Sequence, residues 1–382
     1  MRQNPRTPRR SQALLLVLAG TVLALGLGEA LCRWSFRKDV AALAFSESDL
    51  FYYTDREGFR RNIPNRTGYE RLWNDHGRAE FRINSLGFRG PDLRLEKPAG
   101  TFRILFLGDS ITLGGRLPED VIWVSRVARA LGPGYEAANA GASDVGLVEE
   151  ERTLREAGLK IAPDLVVLGW YLNDGRPPVG FPDEVVFRHP VIRWFNRQAW
   201  LRKSHLAAFI YEKTRQTVVR RQLRLMDASN HRFEWAGDYM AGRWAADPAA
   251  FESLVRKARF DWGDAWDERS LAGMADRIVG LRDLAAGRGA RFAVVMLPVH
   301  AQVYTGAASP LTDLPQRRLG ERLRQAGIPV LDLLAHLRPH VRTHPSEKVF
   351  YDQCHYTPDG NGVVADAILR FLRQERLLGK AG

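Results

Sequence analysis

The sequence predicts a three-layer α/β sandwich with a mostly parallel central sheet, an N-terminal transmembrane helix and a helical insertion. Short apolar runs alternate with amphipathic helical segments from residue 102 to the C-terminus. Such alternation is typical of a parallel sheet that is covered by helices on both faces. An apolar run near the N-terminus predicts the transmembrane helix, and an arginine-rich stretch that interrupts the alternation predicts the insertion.

Five strands and five helices make up the predicted sandwich. The strands are compact apolar runs, predicted at Phe102–Leu107, Tyr135–Asn139, Asp164–Gly169, Arg291–Leu297 and Pro329–Leu333. The helices show apolar residues at helical spacing, predicted at Asp120–Leu131, Val148–Gly158, Leu271–Ala286, Arg317–Ala326 and Gly362–Leu372. Continuous apolar character in the strands indicates burial on both faces of the sheet.

The N-terminus has the pattern of an export signal or membrane anchor. An almost uninterrupted apolar run, Ala13–Gly28, follows four arginines, Arg2, Arg6, Arg9 and Arg10. Extended to Trp34, the run reaches the roughly 20 residues that span a bilayer. The positive-inside rule keeps the arginines cytoplasmic and places the rest of the chain outside the cytoplasm. We expect a single anchor within residues 1–34, and cleavage as a signal peptide after Ala30 stays open.

Two further regions complete the predicted domain organisation. Residues 35–100 are polar, aromatic and rich in turns, with a short strand at Phe81–Asn84, and are expected to pack on the core as a lead-in. Residues 101–382 form the main domain, and about 176–270 are an insertion within it.

The insertion contains a strongly basic stretch in a chain whose formal net charge is +12. Residues 185–225 hold ten Lys or Arg and a single acidic residue, Glu212, among apolar side chains. Either this is a solvated helical face over its own core, or it faces lipid headgroups or an anionic polymer. Zinc-ligand spacing and RNA-binding aromatic signatures are missing from the sequence, so nucleic acid is not an expected partner.

Candidate catalytic residues follow the predicted strands. Ser110 follows the first, Gly141 the second and Asn173 the third, while Asp352 and His355 precede the final helix. Ligands collect at the carboxyl ends of strands in such sheets. A serine nucleophile needs a histidine base, the histidine needs a carboxylate, and the tetrahedral intermediate needs hydrogen-bond donors. Ser110, His355 and Asp352 suit the first three roles, and the Ser110 and Gly141 N–H groups with the Asn173 amide suit the last.

Four sequence blocks together resemble the SGNH, or GDSL, hydrolase family over about residues 102–372. The blocks are Phe106–Thr112, Asn139–Gly141, Asn173–Asp174 and Asp352–His355. A softer match, Ile83–Gly90, resembles the lead-in of N-terminally membrane-anchored bacterial members. The resemblance implies a flavodoxin-like SGNH fold.

The resemblance also implies roles for individual residues. It makes Ser110, Asp352 and His355 catalytic, and places Ser110, Gly141 and Asn173 in the oxyanion hole. Asp109 would be structural. Tyr171 departs from the family's pattern, because the family often has glycine two residues before the asparagine.

Other chemistries find less support. The α/β-hydrolase elbow needs Gly-x-Ser-x-Gly, but Thr112 stands at the second glycine position. The sequence has no Rossmann or P-loop fingerprint and no spaced pair of histidine ligands, so neither a cofactor nor a metal is expected. Cys32 and Cys354 do not form a disulfide framework, and Cys354 is expected to be a small buried residue, a redox role being the alternative. His300 either lines the site or packs.

We therefore expect a membrane-tethered carboxylic-ester hydrolase that acts outside the cytoplasm on an acyl ester of a cell-surface glycan or lipid. The first alternative is an O-acyltransferase that passes the acyl group to a cell-envelope polysaccharide. The second is a non-catalytic binding module with the same fold. The triad alone does not distinguish hydrolysis from transfer, since the two differ only in the acceptor that reaches the acyl-serine.

Overall fold

The computed structural model describes residues 10–35, 51–54, 59–74, 77–176, 233–306 and 309–379, and scattered positions from 194 to 221 that include 204–211. Much of the predicted basic insertion lies outside the described residues. Residues 205–211 are helical, as predicted for that region.

The predicted apolar helix is present as α1, Arg10–Ser35. Its segment Gln12–Ser35 is long and apolar enough to cross a membrane, with a mean hydropathy of 2.2. Most of its side chains are exposed, Leu14 and Val17 among them. Length and composition suit either a membrane anchor or a signal sequence, the two interpretations that the sequence leaves open.

The lead-in forms two small antiparallel pairs of strands. The first pair is β1 (Tyr52–Thr54) with β2 (Arg60–Asn62), and the second is β3 (Arg66–Arg71) with β4 (Arg78–Ile83). The predicted strand at Phe81–Asn84 coincides with the end of β4. The lead-in packs on the main domain, because the Asn62 side chain donates to the Gly141 carbonyl (3.0 Å).

The described residues of the main domain contain a five-stranded, wholly parallel sheet. Its strands are β5 (Phe102–Gly108), β6 (Tyr135–Asn139), β7 (Leu165–Tyr171), β8 (Arg291–Leu297) and β9 (Val330–Asp332). Their spatial order is β6-β5-β7-β8-β9. The predicted fold class is confirmed, and this order is that of the flavodoxin-like doubly wound sheet. The chain leaves β5 towards one side and returns to β7 on the other, which opens a crevice at their carboxyl ends.

The described helices of the main domain follow the predicted alternation. They are α2 (Ser110–Leu113), α3 (Trp123–Leu131), α4 (Leu147–Glu156), α5 (Ala236–Ala241), α6 (Pro248–Lys257), α7 (Glu268–Ala286), α8 (His300–Tyr304), α9 (Leu314–Gln325), α10 (Leu333–Val341), α11 (Ser346–Val349) and α12 (Pro358–Gln374). Short 3₁₀ turns lie at Glu119–Val121, Gly158–Ile161, Arg243–Ala245 and Trp262–Trp266. Helix α12 packs on α3 and α10 against one face of the sheet, and α7 packs on α4 and α9 against the other.

The core lies on both faces of the sheet. Every residue of β5 and β7 is buried. Large side chains such as Trp123 and Trp170 are fully enclosed beside them. Burial of a large apolar side chain contributes about 1.5–3 kcal/mol, so these two strands are a rigid support for whatever follows their carboxyl ends.

Candidate active site

The loop after β5 presents Ser110 at the crevice. Asp109 caps α2, its side chain accepting from the Ile111 N–H (2.8 Å), and Ser110 is the first residue of that helix. Gly108 has a φ of +155°, and a Cβ there would lie 2.2 Å from Thr112 Oγ1. Only glycine fits this turn, which lets the strand pass directly into the helix that carries Ser110.

Asp109 itself lies beneath the turn. Its side chain is buried, and burial raises its pKa from 3.8 to about 6. The capping hydrogen bond from Ile111 opposes that shift. This geometry fits the structural role that the family resemblance implies for Asp109.

A hydrogen-bonded relay joins Ser110 to His355 and Asp352. Ser110 Oγ lies 2.8 Å from His355 Nε2, and His355 Nδ1 lies 2.8 Å from Asp352 Oδ2. With a neutral imidazole protonated at Nδ1, Nδ1 donates to the carboxylate and Nε2 accepts from the hydroxyl. The structure thus brings together three predicted residues from positions up to 245 residues apart in the chain.

The backbone around Asp352 fixes that carboxylate. Its Oδ1 accepts from the N–H groups of Cys354 (2.9 Å) and His355 (2.8 Å). Burial raises the Asp352 pKa, but the His355 charge and these donors more than offset it, so the pKa lies below its ordinary value. Burial likewise lowers the His355 pKa, but Asp352 outweighs it and holds that pKa well above 6.5.

Tyr351 and His300 hold the loop that carries His355. The Tyr351 ring stacks on the His355 ring at 5.5 Å and 8°, and its hydroxyl donates to the Gly115 carbonyl (3.1 Å). The His300 N–H donates to the Gln353 carbonyl (2.9 Å). The His300 ring lies among aromatic side chains, with Nδ1 3.0 Å from the Tyr239 hydroxyl, and burial lowers its pKa to about 4. The structure supports the packing alternative for His300.

Asn173 points into the crevice from the loop after β7. It lines the same cavity as Ser110. Its amide oxygen is buried without a hydrogen-bond partner among the described residues. The turn is held by Asp174, whose Oδ2 accepts from the Tyr171 N–H (2.8 Å). Tyr171, buried at the end of β7, therefore does not prevent the tight turn.

Gly141 lies beneath α2. A Cβ at this position would come within 2.3 Å of the Leu113 nitrogen, which explains the glycine. Its N–H donates to Asn139 Oδ1 (3.0 Å), and Gly141 is not among the residues that line the cavity. The geometry shows a close-packing role, and the predicted place of Gly141 in an oxyanion hole stays a prediction.

Arg89, within the block that resembles the lead-in of anchored family members, supports the same loop. Its guanidinium is buried and donates to the carbonyls of Leu113 (2.7 Å), Gly114 and Leu117 (2.5 Å). These carbonyls belong to the end of α2 and the segment after it. The block therefore fixes the helix that presents Ser110.

Arg176 connects the two loops beside Ser110, a feature that the sequence analysis does not identify. Its Nη2 donates to Asp144 Oδ1 (2.9 Å), its Nε donates to the Asn173 carbonyl (3.1 Å), and its Nη1 lies 3.6 Å from Asp261 Oδ1. Burial lowers the Arg176 pKa, but the two carboxylates more than offset this and raise it above the ordinary value. Asp144 has a φ of +58°, a conformation that side chains other than glycine seldom adopt. Asp144 lies three residues after Gly141, and this spacing is the sequence signal that could have placed Asp144 beside the site.

The crevice is a cavity of about 330 Å³. Aromatic and charged side chains line it around Ser110 and His355. They include Tyr52, Arg60, Glu70, Arg116, Asp144, Phe233, Asp261, Trp262 and Tyr351. Three come from the lead-in, which the sequence analysis expected only to pack on the core.

Cys354 lies between Asp352 and His355 in the chain. The donor atoms of Asp352, Cys354 and His355 lie within 4.8 Å of one another and could approach one metal ion. However, His355 Nδ1 and Asp352 Oδ2 are already hydrogen-bonded, and burial raises the pKa of the Cys354 thiol to about 12. A neutral thiol is a poor metal ligand and a poor nucleophile. Both observations fit the expected filler role for Cys354.

The doubly wound sheet has an SGNH-like fold, and it brings Ser110, His355 and Asp352 together at its carboxyl edge. Residues 261–382 match the model of a family described as SGNH hydrolase-like domain, acetyltransferase AlgX. This match covers about the last third of the chain, including the block Asp352–His355, and confirms the family resemblance over those residues. No curated protein matches the sequence.

The solved structures that are similar to this chain include an acetylxylan esterase and a lipolytic protein. One is a catalytic mutant of Axe2, an acetylxylan esterase from Geobacillus stearothermophilus, with 14% identity, 71% of this chain and 94% of that chain covered, and a TM-score of 0.40. Another is a member of the lipolytic protein G-D-S-L family from Veillonella parvula, with 12% identity, coverages of 71% and 97%, and a TM-score of 0.38.

Proposed function

We propose that this protein is a serine esterase in which Ser110 is the nucleophile, His355 the base and Asp352 the orienting acid. Ser110 Oγ attacks the ester carbonyl and its proton passes to His355 Nε2. The alcohol leaves with that proton, and an acyl-serine remains. Water, deprotonated by His355, then releases the acid and restores the hydroxyl. The observation that carries the proposal is the continuous relay of two 2.8 Å contacts inside a cavity.

The developing oxyanion needs donors near Ser110. We assign this role to the Ser110 N–H and the Asn173 amide, and retain Gly141 as a third candidate. Arg176 supports the assignment, because its hydrogen bond to the Asn173 carbonyl fixes the backbone from which the amide projects. Preorganised donors of this kind often contribute the largest share of catalysis.

The cavity favours a short acyl group on a carbohydrate. About 330 Å³ is near the lower limit of small-molecule sites and is enough for an acetylated sugar. Aromatic rings such as Tyr52 and Phe233 offer stacking faces, and Arg60, Glu70 and Asp144 offer hydrogen bonds to hydroxyl groups.

A second candidate is O-acetyl transfer to a cell-envelope polysaccharide. The observation that favours it is the match of residues 261–382 to the AlgX acetyltransferase family. The acyl-serine would form in the same way, and a sugar hydroxyl would replace water as the acceptor. Ser110, His355, Asp352 and the oxyanion donors would serve both reactions.

We place the enzyme on a membrane, with α1 as a single N-terminal span and the main domain on the periplasmic or extracellular side. The apolar length of α1 and the arginines that precede it support this topology. We accordingly divide the chain into the anchor (1–34), the lead-in (35–100) and the hydrolase domain (101–382).

The test uses the full chain in detergent with p-nitrophenyl acetate and acetylated xylo-oligosaccharides. Ser110→Ala should reduce turnover by several orders of magnitude, as expected for a triad member. Ser125→Ala, on the outer helix α3, is the matched control and should leave turnover unchanged. Mass spectrometry of the sugars, with an unacetylated oligosaccharide added as acceptor, separates hydrolysis from transfer. Equal, near-background rates for the wild type and Ser110→Ala would favour the binding-module alternative.

A further inference from the structure

Helix α1 makes a specific contact with the basic insertion. The Glu29 carboxylate accepts from Ser204 Oγ (2.7 Å) and from the N–H groups of His205 (3.0 Å) and Leu206 (2.9 Å). These donors are the first groups of the helix at 205–211, so Glu29 caps that helix from another element.

The contact is confined to one turn of α1. A Cβ at Gly28 would lie 3.0 Å from the Leu206 side chain, and Cys32 is buried, whereas almost all other described side chains of α1 are exposed. An acidic residue on an apolar helix is costly in a membrane unless it has partners. The 204–206 backbone supplies those partners, which explains a glutamate at this position.

The contact lies where the apolar run ends. The run occupies residues 13–28, and Glu29 follows it directly. Trp34, 82% exposed, lies about one and a half turns further on, and tryptophan is enriched at membrane surfaces. If α1 spans the bilayer, as proposed above, the helix at 205–211 lies at the membrane–water interface on the non-cytoplasmic side.

The outward side chains of this region suit that interface. Ile210 and Trp194 are about half exposed, at 50% and 53%. Lys213 and Arg221 are exposed nearby, and the Lys213 ammonium lies 5.6 Å from the Phe209 ring centroid. Exposed apolar and basic side chains together are typical of segments that lie on anionic bilayers.

We propose that the insertion docks on the surface of an anionic phospholipid bilayer through its described residues between 204 and 221, among them Ile210, Lys213 and Arg221, and that Glu29 of α1 holds this part of the insertion at the membrane. This inference depends on the proposed membrane anchor.

Hydrogen–deuterium exchange on the full chain in lipid nanodiscs tests the proposal. In discs of phosphatidylglycerol, the amides of 204–211 should exchange about ten-fold more slowly than in phosphatidylcholine discs. The double change Lys213→Glu with Arg221→Glu should abolish the difference. The matched control, Arg269→Glu with Arg288→Glu, makes the same charge change at exposed sites of α7 and beyond it, and should retain it. Glu29→Ala should speed exchange at His205 and Leu206 in both lipids.

Two other results would overturn the proposal. Equal exchange of 204–211 in both lipids would exclude anionic lipid as the partner. Protection that appears only when a soluble anionic polysaccharide is added to phosphatidylcholine discs would replace lipid by polymer. Carbonate extraction of the full chain from membranes distinguishes the failure of the anchor from the failure of the docking surface, because an anchored chain resists extraction whether or not the insertion docks.

Discussion

Replacing Arg176 by methionine tests the brace between the two loops beside Ser110. The guanidinium is the buried cation between Asp144 and Asp261, and the three side chains are 9%, 13% and 9% exposed. Removing one partner of a buried pair leaves unpaired charge and costs about 3–5 kcal/mol of folding free energy. Arg176→Met also removes the hydrogen bond to the Asn173 carbonyl. If the Asn173 amide moves away from the oxyanion, kcat should fall by about 10²–10³.

The assay is urea unfolding of the full chain in detergent, followed by tryptophan fluorescence, together with esterase kinetics. Arg155→Met is the matched control, because Arg155 pairs with Glu151 at the surface, with 54% and 27% exposure. That change should cost less than about 1 kcal/mol. Adding Asp144→Asn and Asp261→Asn to Arg176→Met should recover stability but not kcat. An Arg176→Met protein within about 1 kcal/mol of the wild type, or with undiminished kcat, would refute the brace.

Three further predictions concern the same loops. Because the His355 pKa lies well above 6.5, activity should decline as the pH falls through a value above 6.5. Asp352→Asn should move this acidic decline to lower pH and lower kcat by about 10⁴. A pH–kcat profile in which the wild type loses activity only below pH 6.5 would contradict this. The raised Asp109 pKa means that the free energy of unfolding declines as pH rises from 3.8 through about 6. Asp109→Asn should reduce this pH dependence in unfolding curves and keep the helix cap. Asp109→Ala should lower the free energy of unfolding by about 1 kcal/mol, because the cap is lost. Gly141→Ala places a Cβ 2.3 Å from a backbone nitrogen of α2 and should lower the free energy of unfolding by about 1–3 kcal/mol, with loss of activity. Gly237→Ala, in open space, should not destabilise the protein. Equal melting curves for the two variants would contradict the close-packing argument.

The fold was largely predictable, because local patterns determine it. Strands at Tyr135–Asn139 and Arg291–Leu297 have the predicted bounds. Strand β7 extends two residues beyond the prediction, since Trp170 and Tyr171 continue the register with β8. The last helix begins four residues before the prediction, at Pro358, where the Thr357 hydroxyl caps it. Threonine followed by proline is a recognised helix start, so that signal was present in the sequence.

The site was predictable only in part. The blocks around Ser110 and His355 follow from strand ends and residue chemistry, and the sheet then brings them together. The partners of Arg176 were not predictable, because Asp144 and Asp261 approach it only through tertiary packing. The contribution of Tyr52 and Arg60 to the cavity is also long-range, since it depends on how the lead-in folds over the sheet edge. The same holds for the cap that Glu29 gives to residues 204–206.

The most direct test of the account is the site of acylation. The full chain is mixed with p-nitrophenyl acetate, quenched in acid within the first turnovers, digested and sequenced by mass spectrometry. We predict an acetyl group on the Ser110 hydroxyl that is missing in Ser110→Ala and is strongly reduced in His355→Ala, because His355 also accepts the serine proton during acylation. Acetylation at another residue, with full turnover by Ser110→Ala, would contradict the account.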